Sequence, residues 1–551
     1  MNSANPVYTL RNECQDCYKC VRVCAVKAIK IQNGRAEVLP ERCVACGACV
    51  ANCPAGAKRI RSDLEKVRNL LLQKKKIIAS LAPSWRGVFE YTPAKMIAVL
   101  QALGFAAASE TALGAQEVSI RAAQILNAQN GGLHISSACP VIVDYVRLYK
   151  PEFASCIMPL ASPLLTHAKL LKNLYGADCT VVFIGPCIGK KNEADRQSDL
   201  LAAALTFDDL KYWIKEAYLD PETLSDDGQK FTPENAYEGA LYPLDGGMNE
   251  TLRRCGVKDN IQLINICSLE LFGDALKNFE ASKLAAPVFI EALACVGGCI
   301  AGPCAAGKRS RLLMIADILQ HTQYRKNIPA QPRVIEPRQY APANIAPKQY
   351  SLEEMQAALK KLGKYTPEDE LNCSGCGYNS CRDLAQALLD GAAEVSMCAS
   401  YMRKTATRKA AAMLKSMPSA LIMLDKDLKV LEVNEAFNKM FRENEMTDFF
   451  PLFKTVLRTG QDLRKEHYIY KNRLYDLNVF AVEQNEIVGA LITDVTRTQE
   501  GREKVAGKAR EVIAKNIATV QEIASLLGEH MVETEALLNS IAEDYSVKQE
   551  N

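Results

Sequence analysis

Apolar residues follow two different rhythms along this chain. Between residues 76 and 310, short apolar runs alternate with polar loops bounded by glycine or proline. The run from Lys76 to Ala82 feeds Pro83 and Ser84, which predicts a buried strand followed by a polar loop. Residues 180–184 and Val288–Leu293 are apolar stretches of the same kind, each leading into a loop that carries cysteine. Buried strands ending this way predict an α/β core with a site at the strand ends. Residues 61–76 predict a helical linker, residues 352–362 a short helix, and the Lys-, Arg- and Ala-rich residues 402–417 another helix. Residues 320–350 hold five prolines and little periodicity, which predicts a linker.

Further on, strands are predicted at 418–425, 430–434, 467–471, 473–482 and 487–495, with a short helix opening at Asn434. The tail places Ile513, Ile517, Val520, Ala524, Leu527, Met531, Thr534, Leu538 and Ile541 at alternating steps of four and three. That is a coiled-coil seam, predicting a dimerisation helix over 500–546. The alternative is one amphipathic helix packed on a domain.

A chain of 551 residues predicts three to four domains at ~150 residues each. Apolar content of 48% and charged content of 24% describe ordinary folded protein. A net charge of +3 gives no electrostatic reason to expect nucleic acid. No apolar run approaches ~18 residues, so no membrane span is expected. Met1–Leu10 shows no secretory signal, and 21 cysteines without one predict metal ligation in a reducing cytoplasm rather than disulfides.

Sixteen of those cysteines form four sets. Cys14, Cys17, Cys20 and Cys24 read C-x2-C-x2-C-x3-C, and Cys43, Cys46, Cys49 and Cys53 repeat it, ending in Pro54. In this spacing three thiolates wrap one iron–sulfur cube and the fourth crosses to the other. The crossed assignment is Cys14, Cys17, Cys20 and Cys53 for one cluster, and Cys43, Cys46, Cys49 and Cys24 for the other. Zinc ribbons, the alternative, space their CxxC pairs more widely. Residues 1–60 thus resemble a bacterial-type dicluster ferredoxin domain with an electron-relay role. Cys373, Cys376, Cys381 and Cys398 read C-x2-C-x4-C-x16-C. Residues 350–405 resemble the small [4Fe-4S] domain of corrinoid iron–sulfur proteins, with zinc as the alternative metal.

The remaining set is dispersed: Cys139 in Ser136-Ser137-Ala138-Cys139-Pro140, Cys187 in Gly185–Glu193, and Cys295 with Cys299 in Glu291–Gly302. These segments resemble the three signatures of the [FeFe]-hydrogenases, TSCCPxW, MPCxxKxxE and ExMxCxxGCxxG, over residues 76–310. The resemblance implies that Cys139, Cys187, Cys295 and Cys299 hold a [4Fe-4S] cube. Cys299 would also bridge to a di-iron centre carrying CO, cyanide and an azadithiolate. Lys190, Ser84 and Pro83 match positions that contact cyanide, and Glu193 matches the glutamate ending the second signature.

The departures are equally specific. Ala138 stands where catalytic members carry the proton-transferring cysteine, and alanine can neither give nor take a proton. Gly185 and Leu293 replace two methionines that pack on the di-iron centre. Met158 falls at the family's proton-path serine, while Ser162-Pro163 keeps register. Cys304 reads as a free buried thiol, with a new proton donor near the site as the alternative, and Cys156, Cys179, Cys255 and Cys267 read as core. Residues 410–498 resemble a PAS domain, in which the lone His467 is expected at the surface rather than as a haem ligand.

The expected architecture is therefore an α/β multidomain chain. It comprises a dicluster domain, an H-cluster core, a small 4Fe-4S domain, a PAS domain and a coiled coil, carrying four [4Fe-4S] clusters and one di-iron subcluster. This resembles the sensory, PAS-bearing (group C-like) [FeFe]-hydrogenases of anaerobes. The resemblance implies slow reversible H2 oxidation and proton reduction of the ferredoxin-hydrogenase type. Implied partners are H2 and protons, ferredoxin or another redox carrier, a second copy of the chain through the C-terminal helix, and a separate kinase or phosphatase. Two alternatives are an efficient ferredoxin-linked bidirectional hydrogenase and a non-catalytic iron–sulfur scaffold.

Overall fold

The computed structural model describes residues 5–73, 75–280, 283–305, 309–343, 345, 348–527 and 538–542, without the side chains of 443–445 and 520–527. The chain divides into two compact units, Met1–Tyr401 and Met402–Asn551. None of the described helices is long and apolar enough to cross a membrane.

The first unit opens with two antiparallel ribbons. Strand β1 (Val7–Thr9) pairs with β4 (Lys58–Ile60), and β2 (Ile29–Gln32) with β3 (Arg35–Val38). Between them run the two cysteine repeats, and their backbones match. Asp16 and Tyr18 in the first repeat, and Ala45 and Gly47 in the second, all have positive φ. Left-handed residues at equivalent positions curl each loop around its cysteines, although only one of the four is glycine. The helix Leu64–Leu72 then leads onward, shorter than the stretch predicted for it.

The core that follows is built on parallel strands. β5 (Ile77–Leu81), β6 (Ala107–Glu110), β8 (Thr180–Gly185) and β9 (Ala203–Thr206) form one sheet in the order β6-β5-β8-β9. β7 (Leu133–Ile135), β10 (Gln262–Cys267) and β11 (Val288–Leu293) form another in the order β10-β11-β7. Every pairing in both sheets is parallel. All residues of β5 and β11 are buried, as the unbroken apolar runs require of strands covered on both faces. In the first sheet the chain order reverses between β5 and β8. Loops diverge at such a switch point and leave a crevice beyond the strand ends.

Residues 320–350 do not form the predicted linker. The helix Arg311–His321 buries Met314 and Ile318 against Leu241, Leu244 and Ile300. The chain then straps back over the core. Arg325 pairs with the buried Glu238, and Arg333 with the buried Glu117 at 2.7 Å. Ala161 N–H donates to Glu336 O, and Tyr340 O–H to Leu160 O. The prolines serve an extended path whose partners are distant in sequence. After the strap come the helices Leu352–Lys361 and Cys381–Leu389, each opened by a Ser–acid capping box.

The helix Ala399–Ser416 begins directly after Cys398. In the second unit, β12 (Ala420–Asp425), β13 (Val430–Val433), β14 (Leu463–Tyr470), β15 (Arg473–Glu483) and β16 (Ile487–Asp494) form an antiparallel sheet in the order β13-β12-β16-β15-β14. Its core is aromatic, with Phe437, Phe441, Phe449 and Phe453 buried. Buried Asn434 accepts from the N–H groups of Leu421 and Phe437 and donates to Ser419 O and Leu414 O, so one side chain fastens the preceding helix end to the sheet. His467 is exposed at an irregularity in β14. The helix Thr496–Leu527 carries Ile513 and Ile517 half-buried. The side chains of Val520, Ala524 and Leu527, and residues Met531 and Thr534, lie outside the described residues.

Candidate active site and cluster sites

The strand-end loops line a cavity of about 100 Å³. Pro83 and Ser84 reach it from β5, Ser136, Ala138 and Cys139 from β7, Cys187 and Lys190 from β8, and Glu291, Leu293 and Cys299 from β11 and the loop after it. Two parallel sheets thus bring all three cysteine-bearing segments together. Ala138 lines the cavity and is followed by Cys139, which is buried.

Behind it lies a second, smaller cavity. Its lining includes Cys139, Cys187, Cys295 and Cys299, together with Cys46 from the N-terminal repeats. Burial and the neighbouring thiols push the Cys299 thiol up, and burial, then Cys139, raises Cys187 to about 11. Thiols held neutral by desolvation are poised to ionise only when a cation replaces the proton. Among the described residues, no three Cys, His, Asp or Glu side chains close around a single-ion site.

Two buried oxygens on the larger cavity lack any partner: Ser84 Oγ and Glu291 Oε1. Ser84 opens the short helix Trp85–Val88, yet its hydroxyl makes no capping hydrogen bond. A buried donor left unpaired costs about 1–3 kcal/mol, so this hydroxyl is built for a bound group. Lys190 Nζ lies 2.6 Å from Glu193 Oε2 and donates to Ala138 O at 3.4 Å. Ser162 Oγ donates to the same Glu193 oxygen at 3.1 Å. These features suit an anionic metal group: orphaned donor, fixed ammonium and converging thiols.

Several lining residues were missed from sequence. Met248 lies on the cavity and accepts from Ser136 Oγ at 3.1 Å, so a methionine is present although Gly185 and Leu293 removed the two expected. Phe183 accounts for Gly185: a Cβ there would lie 2.3 Å from the Phe183 ring. Glu291 was visible only as the first residue of a signature. Burial, offset by the N–H groups of Asn249, Met248 and Gly246, raises its carboxyl to about 7. Exposed Asp245, to which Cys267 Sγ donates at 3.0 Å, is a charged neighbour that also raises it. Cys267, expected in the core, is half-buried here, as are Cys156 and Cys255, while Cys179 and Cys304 are buried.

The other sets also gather. Cys20 lies near Cys14 and Cys17, and Cys43, Cys46 and Cys49 lie near Cys24. Cys53 follows the short helix Ala48–Ala51. Cys376 lies near Cys373 and Cys398, and Cys376, Cys381 and Cys398 share one buried cluster. Cys17 and Cys373 are the exposed members.

Comparison with known proteins agrees with this layout. Residues 75–303 match the family "Iron only hydrogenase large subunit, C-terminal domain". Residues 13–57 match "4Fe-4S dicluster domain", and 369–400 match "Putative Fe-S cluster". The chain is 26% identical over 363 residues to Iron hydrogenase 1 of Clostridium pasteurianum, covering 53% of this chain and 63% of that protein. It is 28% identical over 290 residues to the Periplasmic [Fe] hydrogenase large subunit of Nitratidesulfovibrio vulgaris, covering 42% and 68%. A solved [FeFe]-hydrogenase from Chlamydomonas reinhardtii aligns with TM-score 0.41 at 16% identity, covering 52% of this chain and 100% of that one. This chain therefore carries a hydrogenase-type H-cluster domain, preceded by a 4Fe-4S dicluster domain and followed by an Fe–S domain.

Proposed function

We propose that this chain is a slow, reversible [FeFe]-hydrogenase whose redox state is reported by its C-terminal unit. One observation carries the reading. Ala138 lines a cavity that presents converging thiols, a fixed Lys190 and an unpartnered Ser84 hydroxyl.

Cys139, Cys187, Cys295 and Cys299 would hold the cube, with Cys299 bridging to a di-iron subcluster carrying CO, cyanide and azadithiolate. When bound, that subcluster supplies reversible heterolytic cleavage of H2. The chain's own residues bind, orient and move protons. Ser84 Oγ is a free donor for an anionic ligand, and Pro83 shapes the wall beside it. Lys190 adds a charge-assisted contact, held in place by Glu193 and Ser162. Ala138 and Met158 interrupt the fast proton route. Glu291 offers a slower one, since its unpartnered oxygen lies on the cavity and exposed Asp245 is its charged neighbour.

The crossed cysteine sets Cys14/Cys17/Cys20/Cys53 and Cys43/Cys46/Cys49/Cys24, and the set Cys373/Cys376/Cys381/Cys398, would each hold a [4Fe-4S] relay. Cys46 beside the H-cluster cysteines supports the inward end of that relay. The exposed Cys17 and Cys373 support an outward end, where ferredoxin or another carrier would dock. The strand order of the second unit supports a PAS-type sensor. The long exposed helix after it supports dimerisation and transfer to a separate signalling protein in the cytoplasm.

Dye-linked H2 uptake and evolution, measured on fully matured protein, tests the reading. Wild type should turn over slowly in both directions. Ala138→Cys should raise the rate, by up to about 100-fold, and no gain would place the limiting block at Met158 and beyond. Complete inactivity of both, at full iron loading, would sink the proposal.

A further inference from the structure

The small cluster domain is seated on the dicluster domain through a specific junction. Ile31 N–H donates to Ala392 O at 3.0 Å, extending the edge of β2, and Asn33 N–H donates to a Glu394 carboxylate oxygen. Val21, Ile29 and Ile31 share one buried cluster with Tyr378, Leu384 and Ala385. Arg42 pairs with Asp390 across the junction at 3.5 Å, and two further cations reach the cysteine loop. Lys27 Nζ donates to Gly377 O at 2.7 Å and to Val21 O at 3.1 Å, and lies 5.9 Å from the centre of the Tyr378 ring. Arg22 donates to Cys17 O at 2.8 Å and, from its other nitrogen, to Gly375 O at 3.2 Å.

Lys27 and Arg22 therefore each hold a carbonyl from the Cys373–Cys376 loop region. Gly377 is required there: its φ is +93°, and a Cβ would lie 3.1 Å from Arg22 N. Lys27 is half-buried, and the charged neighbours it feels include Cys24, Glu270, Cys376 and Asp383. Two cysteine sets that would carry anionic clusters thus face one another across a single ammonium group.

We infer that Lys27 is a positioning residue that fixes the fourth cluster site against the dicluster domain and raises its potential together with that of the site containing Cys24. This rests on the reading that both sites hold [4Fe-4S] clusters. A positive charge in a half-buried junction favours the more negative, reduced form of each neighbour. Arg22 performs the same mechanical task between Cys17 and Gly375. The fourth cluster becomes a fixed extension of the ferredoxin relay rather than a tethered, freely moving domain. Its last cysteine, Cys398, directly precedes the helix Ala399–Ser416.

Full-length, reconstituted protein tests this by EPR-monitored redox titration, with iron and sulfide determined on the same samples. Lys27→Met should shift the midpoint of the fourth cluster to lower potential and reduce its magnetic interaction with the neighbouring cluster. Lys27→Arg should restore both, and Arg22→Met should weaken the interaction alone. Cys376→Ser identifies the fourth cluster's signal and should remove about four iron atoms per chain. Unchanged midpoint and interaction in Lys27→Met, with Cys376→Ser still losing iron, would overturn the inference by itself. Unchanged iron in Cys376→Ser would overturn the underlying cluster reading and the inference with it.

Discussion

At the scale of single residues, the site combines what the sequence displays with what only packing reveals. The thiols, Lys190, Glu193 and Ser84 were legible because they sit in short motifs at fixed offsets. Ala138 was legible as a substitution in such a motif. Met248 and Phe183 were not, because they come from segments with no signature and reach the cavity only through the fold. Glu291 lay between: its position was visible, its isolation was not. With a carboxyl raised to about 7 by burial, it is neutral and able to donate below that pH, and ionised and able to accept above it. Proton reduction should fall, and H2 oxidation rise, as pH passes through 7. In Glu291→Gln this inflection should vanish from the pH–rate profiles; its persistence would remove Glu291 from the proton path. Gly185→Met, which restores a family methionine, should impair loading of the site because Phe183 occupies the space. Full iron incorporation in that variant would show that the ring can move aside.

At the scale of elements, the switch point between β5 and β8 is what assembles the cavity, and unbroken apolar runs announced both strands. The strap from Arg325 to Tyr340 was read as a linker because prolines without periodicity look alike in linkers and in extended surface segments. Its anchors, Glu117 and Glu238, lie far back in the chain, so no local pattern could reveal them. Arg333→Ala would leave the 2%-exposed Glu117 without its ion pair, at a cost of about 1–2 kcal/mol, since Arg333 is itself part-exposed and its backbone N–H still serves Glu117. Denaturant melts of that variant should show the loss; an unchanged midpoint would mean the strap contributes nothing to stability. His167 is a second element-level tie. It is fully buried between Ser80 and Ser109, and burial lowers it to about 3. Its unfolded form takes up a proton near pH 6.5 and its folded form does not, so it contributes a loss of stability as pH falls from there toward 3. His167→Gln should flatten that part of the stability–pH curve.

At the scale of the whole molecule, the cysteine sets are confined to one of the two units. Residues Met1–Tyr401 contain all four cysteine sets, and Met402–Asn551 contain none of them. A chain ending after Ser416 should keep its H2 turnover and lose any dimerisation, as sedimentation would show. Loss of turnover in that protein would tie the second unit to catalysis instead. The order of the three cysteine-bearing segments was legible because cysteine spacing changes abruptly along the chain. The seating of the fourth cluster site on the ferredoxin half was not, since it depends on backbone carbonyls that carry no sequence signal. The central claim is that a di-iron group occupies the cavity lined by Ala138 and responds to H2. Infrared spectroscopy of anaerobically matured protein, with and without H2, tests it most directly. CO and cyanide bands that shift under H2 are the predicted result, and their absence at full maturation and iron loading would contradict it.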